Sequence, residues 1–223
     1  MRTTTPLVSA LLLLGGCATL SSSLEPPRME PPIVQTGAEV LRRRAAEVSP
    51  EQIGTPEFRA LVEQMIAAMR AAPGVGLAAP QLGVALRVFV VEDPPALQAS
   101  LQPAELAERE RVPVPVRVFI NPVVRPQGEE QVTFFEGCLS VDGFAALVPR
   151  FREVEVSGLD QHGQPVTWRV NGWPARILQH EMDHLNGTLY LDRMHSRTFG
   201  TSAQLKERFG GRPIAEILQA FEL

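Results

Sequence analysis

His180-Glu181-Met182-Asp183-His184 decides the reading of this chain. On an α-helix residues four apart share a face, so two imidazoles there can hold one divalent metal. Glu181 beside them can then act as base toward a metal-bound water without itself being a ligand. The pattern alone predicts metal-assisted hydrolysis and leaves open what is cleaved, because a catalytic site needs a third ligand and an open position.

The sequence around this stretch defines its helix. Pro174 is tolerated only in a first turn, which places the start near Trp173, and Gly187, three residues past the second histidine, suits a left-handed C-cap. Ile177, Leu178 and Leu185 supply the face that packs into the core. A pair of core histidines without metal is disfavoured, since Glu181 between them would be a buried carboxylate without a partner.

Upstream, Thr55-Pro56 opens a helix that carries Phe58, Leu61, Val62, Met65, Ile66 and Met69 at helical spacing and ends at Pro73-Gly74. Val40, Leu41, Ala45 and Val48 predict a short helix after Gly37. Strand-like runs are expected at 87–92, 116–120, 131–135, 146–148, 151–158 and 165–170, with a turn at 160–163 that leaves His162 in solvent. The segment 93–115 reads as a connection with a helical turn near Glu105. Successive strands followed by one metal helix predict an α+β fold with mainly antiparallel sheets and no βαβ rhythm.

With 223 residues, 44% hydrophobic and 21% charged, the chain is long enough for one well-buried core. A net charge of −4, with no basic run longer than Arg42-Arg43-Arg44, argues against a nucleic-acid surface. The N-terminus reads as a separate object. Arg2 precedes an apolar run, Leu7 to Leu14, too short to span a bilayer and suited to a secretory signal. Leu14-Gly15-Gly16-Cys17 resembles the lipobox of bacterial lipoproteins, in which the cysteine is lipidated. The expected organisation is a signal peptide at 1–16, a flexible tether at 17–32 beginning with Cys17, and a catalytic domain at 33–223. Cys17 would then be consumed by lipidation and Cys138 would be the one free thiol, so no internal disulfide is possible.

The third ligand separates the possible hydrolases. One protease group extends the motif to a third histidine, but Tyr190 stands at that position and His195 is off register. Glu207, the carboxylate another protease group would need, lies in a charged segment after Phe199-Gly200. Cys138, within Glu136-Gly137-Cys138-Leu139-Ser140, offers a soft thiolate that would complete a Cys-His-His set with a vacant fourth position.

With that motif in view, the chain resembles the peptide deformylase family. Gly74-Val75-Gly76-Leu77-Ala78-Ala79-Pro80-Gln81, Glu136-Gly137-Cys138-Leu139-Ser140 and Gln179-His180-Glu181-Met182-Asp183-His184 occur in the family's order. The resemblance runs from about Ile33 to about Arg197. Gly172-Trp173-Pro174-Ala175-Arg176 and Ser196-Arg197-Thr198-Phe199 are similar to the branch that includes organellar enzymes.

It implies removal of the formyl group from N-formylmethionyl peptides. Cys138, His180 and His184 would hold Fe(II) or Zn(II), with Ni or Co able to substitute, and Glu181 would serve as general base and then acid. The Gln81 amide and the Leu139 backbone N–H would face the developing oxyanion. Gly74, Val75, Gly76 and Gly137 would border the peptide, with Val75, Trp173 and Ile177 walling the methionine pocket. Where many bacterial members carry an arginine after the cysteine motif, Gly143-Phe144-Ala145 stands here, with Phe144 offering apolar contact instead.

The expected partners are N-formylmethionyl peptides and, through a lipid on Cys17, a membrane facing the periplasm or outside; a cytoplasmic enzyme is the expectation if the leader is not functional. A monomer is the default expectation. The competing functions are an H-E-x-x-H metalloprotease and a non-catalytic lipoprotein that binds formyl peptides or metal.

Overall fold

A computed structural model describes residues 32–72 and 74–223. The expected signal peptide, Cys17 and all but the last residue of the expected tether lie outside the described residues. No described helix is long and apolar enough to cross a membrane.

Thr55 caps helix α1 (Pro56–Ala71): its side-chain oxygen accepts from the Phe58 N–H at 3.2 Å, and Pro56 sits in the first turn. The helix buries Phe58, Val62, Met65, Ala68 and Met69. Leu61 and Ile66 lie at the edge of the same cluster. Strand β1 (Gly76–Ala78) follows, then a 3-10 turn over Ala79–Leu82, strand β2 (Val88–Asp93) and two short helices, α2 (Pro95–Gln98) and α3 (Pro103–Glu108). The remaining strands are β3 (Val114–Pro126), β4 (Gln131–Cys138), β5 (Val141–Phe151), β6 (Glu153–Leu159) and β7 (Pro165–Asn171). Helix α4 (Gly172–Leu185) comes next, then strand β8 (Gly200–Thr201) and helices α5 (Ser202–Phe209) and α6 (Ile214–Ala220).

Two antiparallel sheets result, one in the order β1-β2-β3-β6-β7 and one in the order β4-β5-β8. The α+β expectation holds and each of the six expected runs contains a strand; the limits fall short at Arg87, where pairing begins one residue later, and at 151–152, where Phe151 ends β5 and β6 begins only at Glu153. Helix α4 packs on the large sheet and against β5, burying Ala175, Ile177, Leu178 and Leu185 with Phe89, Phe119 and Val156. Its end is as expected: Gly187 has φ +73°, and the Thr188 N–H donates to the Asp183 carbonyl at 2.9 Å.

One expected element is absent. The segment carrying Ala45 and Val48 is extended, and only Glu39–Arg42 forms a 3-10 turn. Its backbone is taken by tertiary partners: the Ala46 N–H donates to Ala85 O at 2.9 Å and the Arg87 N–H to Ala46 O at 2.7 Å. Asn121, at φ +50°, accepts from the Val48 N–H and donates to the Val48 carbonyl at 2.9 and 2.8 Å. The apolar positions are buried as the spacing implied, through a different conformation.

Candidate metal centre and substrate cleft

Helix α4 presents His180 and His184 on one face, with ring centroids 5.1 Å apart. Strand β4 ends at Cys138, where its register with β5 shifts and Cys138 pairs with Val141. This brings the sulfur 3.3 Å from His184 Nε2, and one ligand atom from each of Cys138, His180 and His184 lies within 4.8 Å of the others. A thiolate and two imidazoles suit Zn(II) or Fe(II), and the donor set fits the metal expected from the sequence.

The surrounding groups orient these ligands. The His180 Nδ1 lies 3.0 Å from Glu136 Oε2, which leaves its Nε2 for a metal. Glu136 in turn accepts two bonds from Arg150, at 2.9 and 2.8 Å, and one from Arg176 at 2.6 Å. Arg150 continues to Asp183 at 2.5 Å, and Asp183 accepts two bonds from Arg193, both at 2.7 Å. Burial alone would raise the Glu136 carboxyl, but Arg150 and His180 hold it well below the usual carboxylate range.

Glu181 has the opposite environment. It is 3% exposed, and its Oε2 has no hydrogen-bond partner among the described residues. Burial pushes its carboxyl up to about 7. A buried carboxylate oxygen left unpaired is costly unless a proton or a polar group meets it there, as a base at a metal centre requires. Gly76 makes room for it: a Cβ on that residue would lie 2.2 Å from Glu181 Oε1. The glycine was expected to admit substrate backbone; its nearer neighbour is the Glu181 carboxylate.

Gln81 is held with its amide nitrogen toward the ligands. Its Oε1 accepts from the Ala78 N–H at 2.8 Å, and its Nε2 lies 3.6 Å from the Cys138 sulfur and 3.3 Å from Ser140 Oγ.

A cavity of about 360 Å³ opens over these groups. The expected substrate residues Gly74, Val75, Gly76, Gly137, Trp173 and Ile177 all line it, as do Gln81, Cys138, Leu139, His180 and Glu181. It lies between two sheet edges, since β1 ends the large sheet and β4 ends the small one. Trp173 is set by its backbone N–H, which donates to Arg109 O at 2.9 Å, and the guanidiniums of Arg109, Arg111 and Arg176 lie 5.3, 5.3 and 5.9 Å from its ring.

The protease ligands fail on position. Tyr190 is buried and stacks on His180 with ring centroids 6.3 Å apart, and Glu207 is exposed on α5. Neither they nor His195 belong to the cluster that could hold a metal among the described residues. The sequence reading missed the roles of Glu136, Arg150, Arg176 and Asp183. A signal was present, because Arg150 closes the apolar run 144–149 and Arg176 stands between buried Ala175 and Ile177, where an arginine requires a partner.

Comparison with known proteins agrees with this geometry. The family model described as polypeptide deformylase matches residues 31–199. The chain is 50% identical over 179 residues to the mitochondrial peptide deformylase of Homo sapiens, covering 79% of this chain and 73% of that one. It is also 50% identical over 176 residues to peptide deformylase 1 of Streptomyces coelicolor, covering 79% and 78% of the two chains. Among solved structures, the Met-Ala-Ser-bound class I type b peptide deformylase of Acinetobacter baumannii is similar at a TM-score of 0.65 and 34% identity, covering 73% of this chain and 97% of that chain.

Proposed function

Because the chain belongs to the peptide deformylase family and is a metal-dependent hydrolase that removes N-formyl groups, we propose that its cleft acts on N-formylmethionyl peptides with Glu181 as general base and acid. The observation that carries this assignment is the buried, unpartnered Glu181 carboxylate beside the Cys138, His180 and His184 cluster.

Cys138, His180 and His184 would hold one divalent ion, Fe(II) or Zn(II), with Ni or Co able to substitute. When bound, it supplies Lewis-acid chemistry, lowering the pKa of water and polarising a carbonyl. Glu181, with its carboxyl near neutrality, takes a proton from the attacking water and returns it to the departing amine. The Gln81 Nε2 and the Leu139 backbone N–H stabilise the oxygen of the formyl group as it gains charge. Gln81 is fixed in advance by Ala78, so little reorganisation is needed during the reaction. The peptide pairs as an added strand between the edges of β1 and β4, bordered by Gly74, Val75, Gly76 and Gly137. Val75, Trp173 and Ile177 enclose the methionine side chain.

The deciding assay follows formate release from formyl-Met-Ala peptides beside an internally quenched longer peptide. Formate release that is abolished in Glu181→Ala while metal content is retained supports the assignment. Internal cleavage without formate overturns it.

The proposal extends to the chain's organisation: signal peptide 1–16, lipidation at Cys17, tether 17–32 and a monomeric catalytic domain at 33–223. Its support is the sequence Leu14-Gly15-Gly16-Cys17. Such an enzyme would be anchored facing the periplasm or outside and would meet released or imported formyl peptides. Labelling with a palmitate analogue tests this against Cys17→Ser. Label lost in the variant supports the anchor, and unlabelled protein in both cases refutes it.

A further inference from the structure

Six large hydrophobic side chains are more than a third exposed among the described residues, and the two aromatic ones lie against each other. Phe144 and Phe199 are 40% and 41% exposed, with ring centroids 5.1 Å apart and planes 8° apart. Two nearly parallel rings make one flat apolar surface, and most rings of this size are covered in a folded chain.

The surface is continuous with the reaction cleft. Phe144 lines the same cavity as Cys138 and Glu181, and its carbonyl lies 3.4 Å from where a Cβ on Gly137 would stand. It is held by pairing with Thr201 in β8, which brings the preceding Phe199 alongside. The two guanidiniums in the cavity are already engaged: Arg111 makes two bonds to Asp93 at 2.7 and 2.8 Å, and Arg176 bonds Glu136. The wall formed by Phe144 therefore offers apolar contact where a peptide leaves the metal, and the two arginines that line the cavity are held by carboxylates.

We propose that the Phe144–Phe199 stack is a specificity-determining ledge that receives an apolar side chain from the substrate's second or third residue, beyond its formyl-methionine. This rests on the deformylase assignment. An apolar side chain laid on the rings removes apolar surface from water on both partners, whereas a carboxylate there would lose water to two rings that offer it no hydrogen-bond donor. The expected preference is about 5- to 10-fold in kcat/KM, the range of one aromatic contact.

The test uses metal-loaded full-length protein and formyl-Met-Ala-Xaa and formyl-Met-Xaa-Ala peptides, with Xaa as Leu, Phe, Ser or Asp. The readout is the ratio of kcat/KM for apolar over polar Xaa within each variant, so a general loss of activity cancels. The parent should prefer Leu and Phe at one of the two positions. Phe144→Ala and Phe199→Ala should each bring the ratio toward one, and Phe144→Leu should restore part of it. A parent ratio of one at both positions, or a ratio unmoved by both alanine variants, overturns the ledge while formate release leaves the deformylase assignment standing. No formate from any peptide would instead strike at that assignment.

Discussion

Gly76→Ala tests whether the backbone of β1 sets the position of Glu181, the proposed general base. A Cβ there would stand 2.2 Å from Glu181 Oε1, 2.7 Å from its Cδ and 2.9 Å from its Cγ. Reaching the 3.4 Å at which ordinary contact begins requires the carboxylate oxygen to retreat by about 1.2 Å. The strand is paired with β2 through Gly76 and Val91, so the side chain yields before the backbone does. The strain is then relieved by displacing the carboxylate proposed as the base. A misplacement of about 1 Å at a reacting group can lower the rate roughly 10²-fold, or about 2.7 kcal/mol in the barrier. Stability should fall far less, by about 1 kcal/mol, because the overpacking meets one side chain's end. Formate release at saturating formyl-Met-Ala peptide, metal content and a thermal melt measured on the same preparation separate these effects. Gly74→Ala is the comparison: its Cβ would meet Leu139 Cδ1 at 2.8 Å and the Met69 carbonyl at 3.4 Å, not Glu181, so kcat should fall less than about tenfold and any further loss should appear in KM, since Gly74 borders the peptide. A Gly76→Ala enzyme with full metal content and kcat within about threefold of the parent would refute the reasoning.

Other perturbations probe the support around the site. Glu136→Gln removes the anion shared by His180, Arg150 and Arg176, and should weaken metal binding about 10- to 100-fold and cost about 3–5 kcal/mol of stability; competition with a chelator and urea unfolding would check both, and unchanged metal affinity would exclude the orienting role. Tyr190→Phe should hold or raise the melting temperature, because the Tyr190 hydroxyl is buried without a partner among the described residues. A drop worth more than about 1 kcal/mol would reveal a bond not accounted for. Phe209→Ala should cost about 3–5 kcal/mol in a single cooperative transition, since Phe209 joins α5 to Phe135 of β4 with ring centroids 6.0 Å apart. Two separate transitions would show that residues 200–223 fold apart from the sheet.

The parts of the site legible in the sequence are those that local geometry dictates. The i, i+4 spacing of His180 and His184 needs only a helix, and Pro174 and Gly187 mark its ends. Cys138 is different: its approach to His184 depends on where β4 lies against α4, so only the combined motifs pointed to it. The helix expected through Ala45 and Val48 failed because local spacing was outweighed by hydrogen bonds to Ala85, Arg87 and Asn121, residues distant in sequence.

Glu136 and Glu181 show where sequence reading ends. Both are buried carboxylates beside a candidate metal ligand, and nothing in their flanking residues tells which would ionise. Strand pairing sets Val132 opposite Arg150 and Glu136 opposite Ala146, and the long Arg150 side chain then reaches back along β5 to Glu136. Arg176 arrives one turn before His180 on α4. Two guanidiniums therefore converge on Glu136, making it a fixed anion suited to orienting His180. The same packing leaves Glu181 facing glycine on β1, with burial raising its carboxyl to about 7. Two identical side chains acquire opposite proton affinities, which suit them to the separate tasks proposed for them, orienting a candidate ligand and moving a proton.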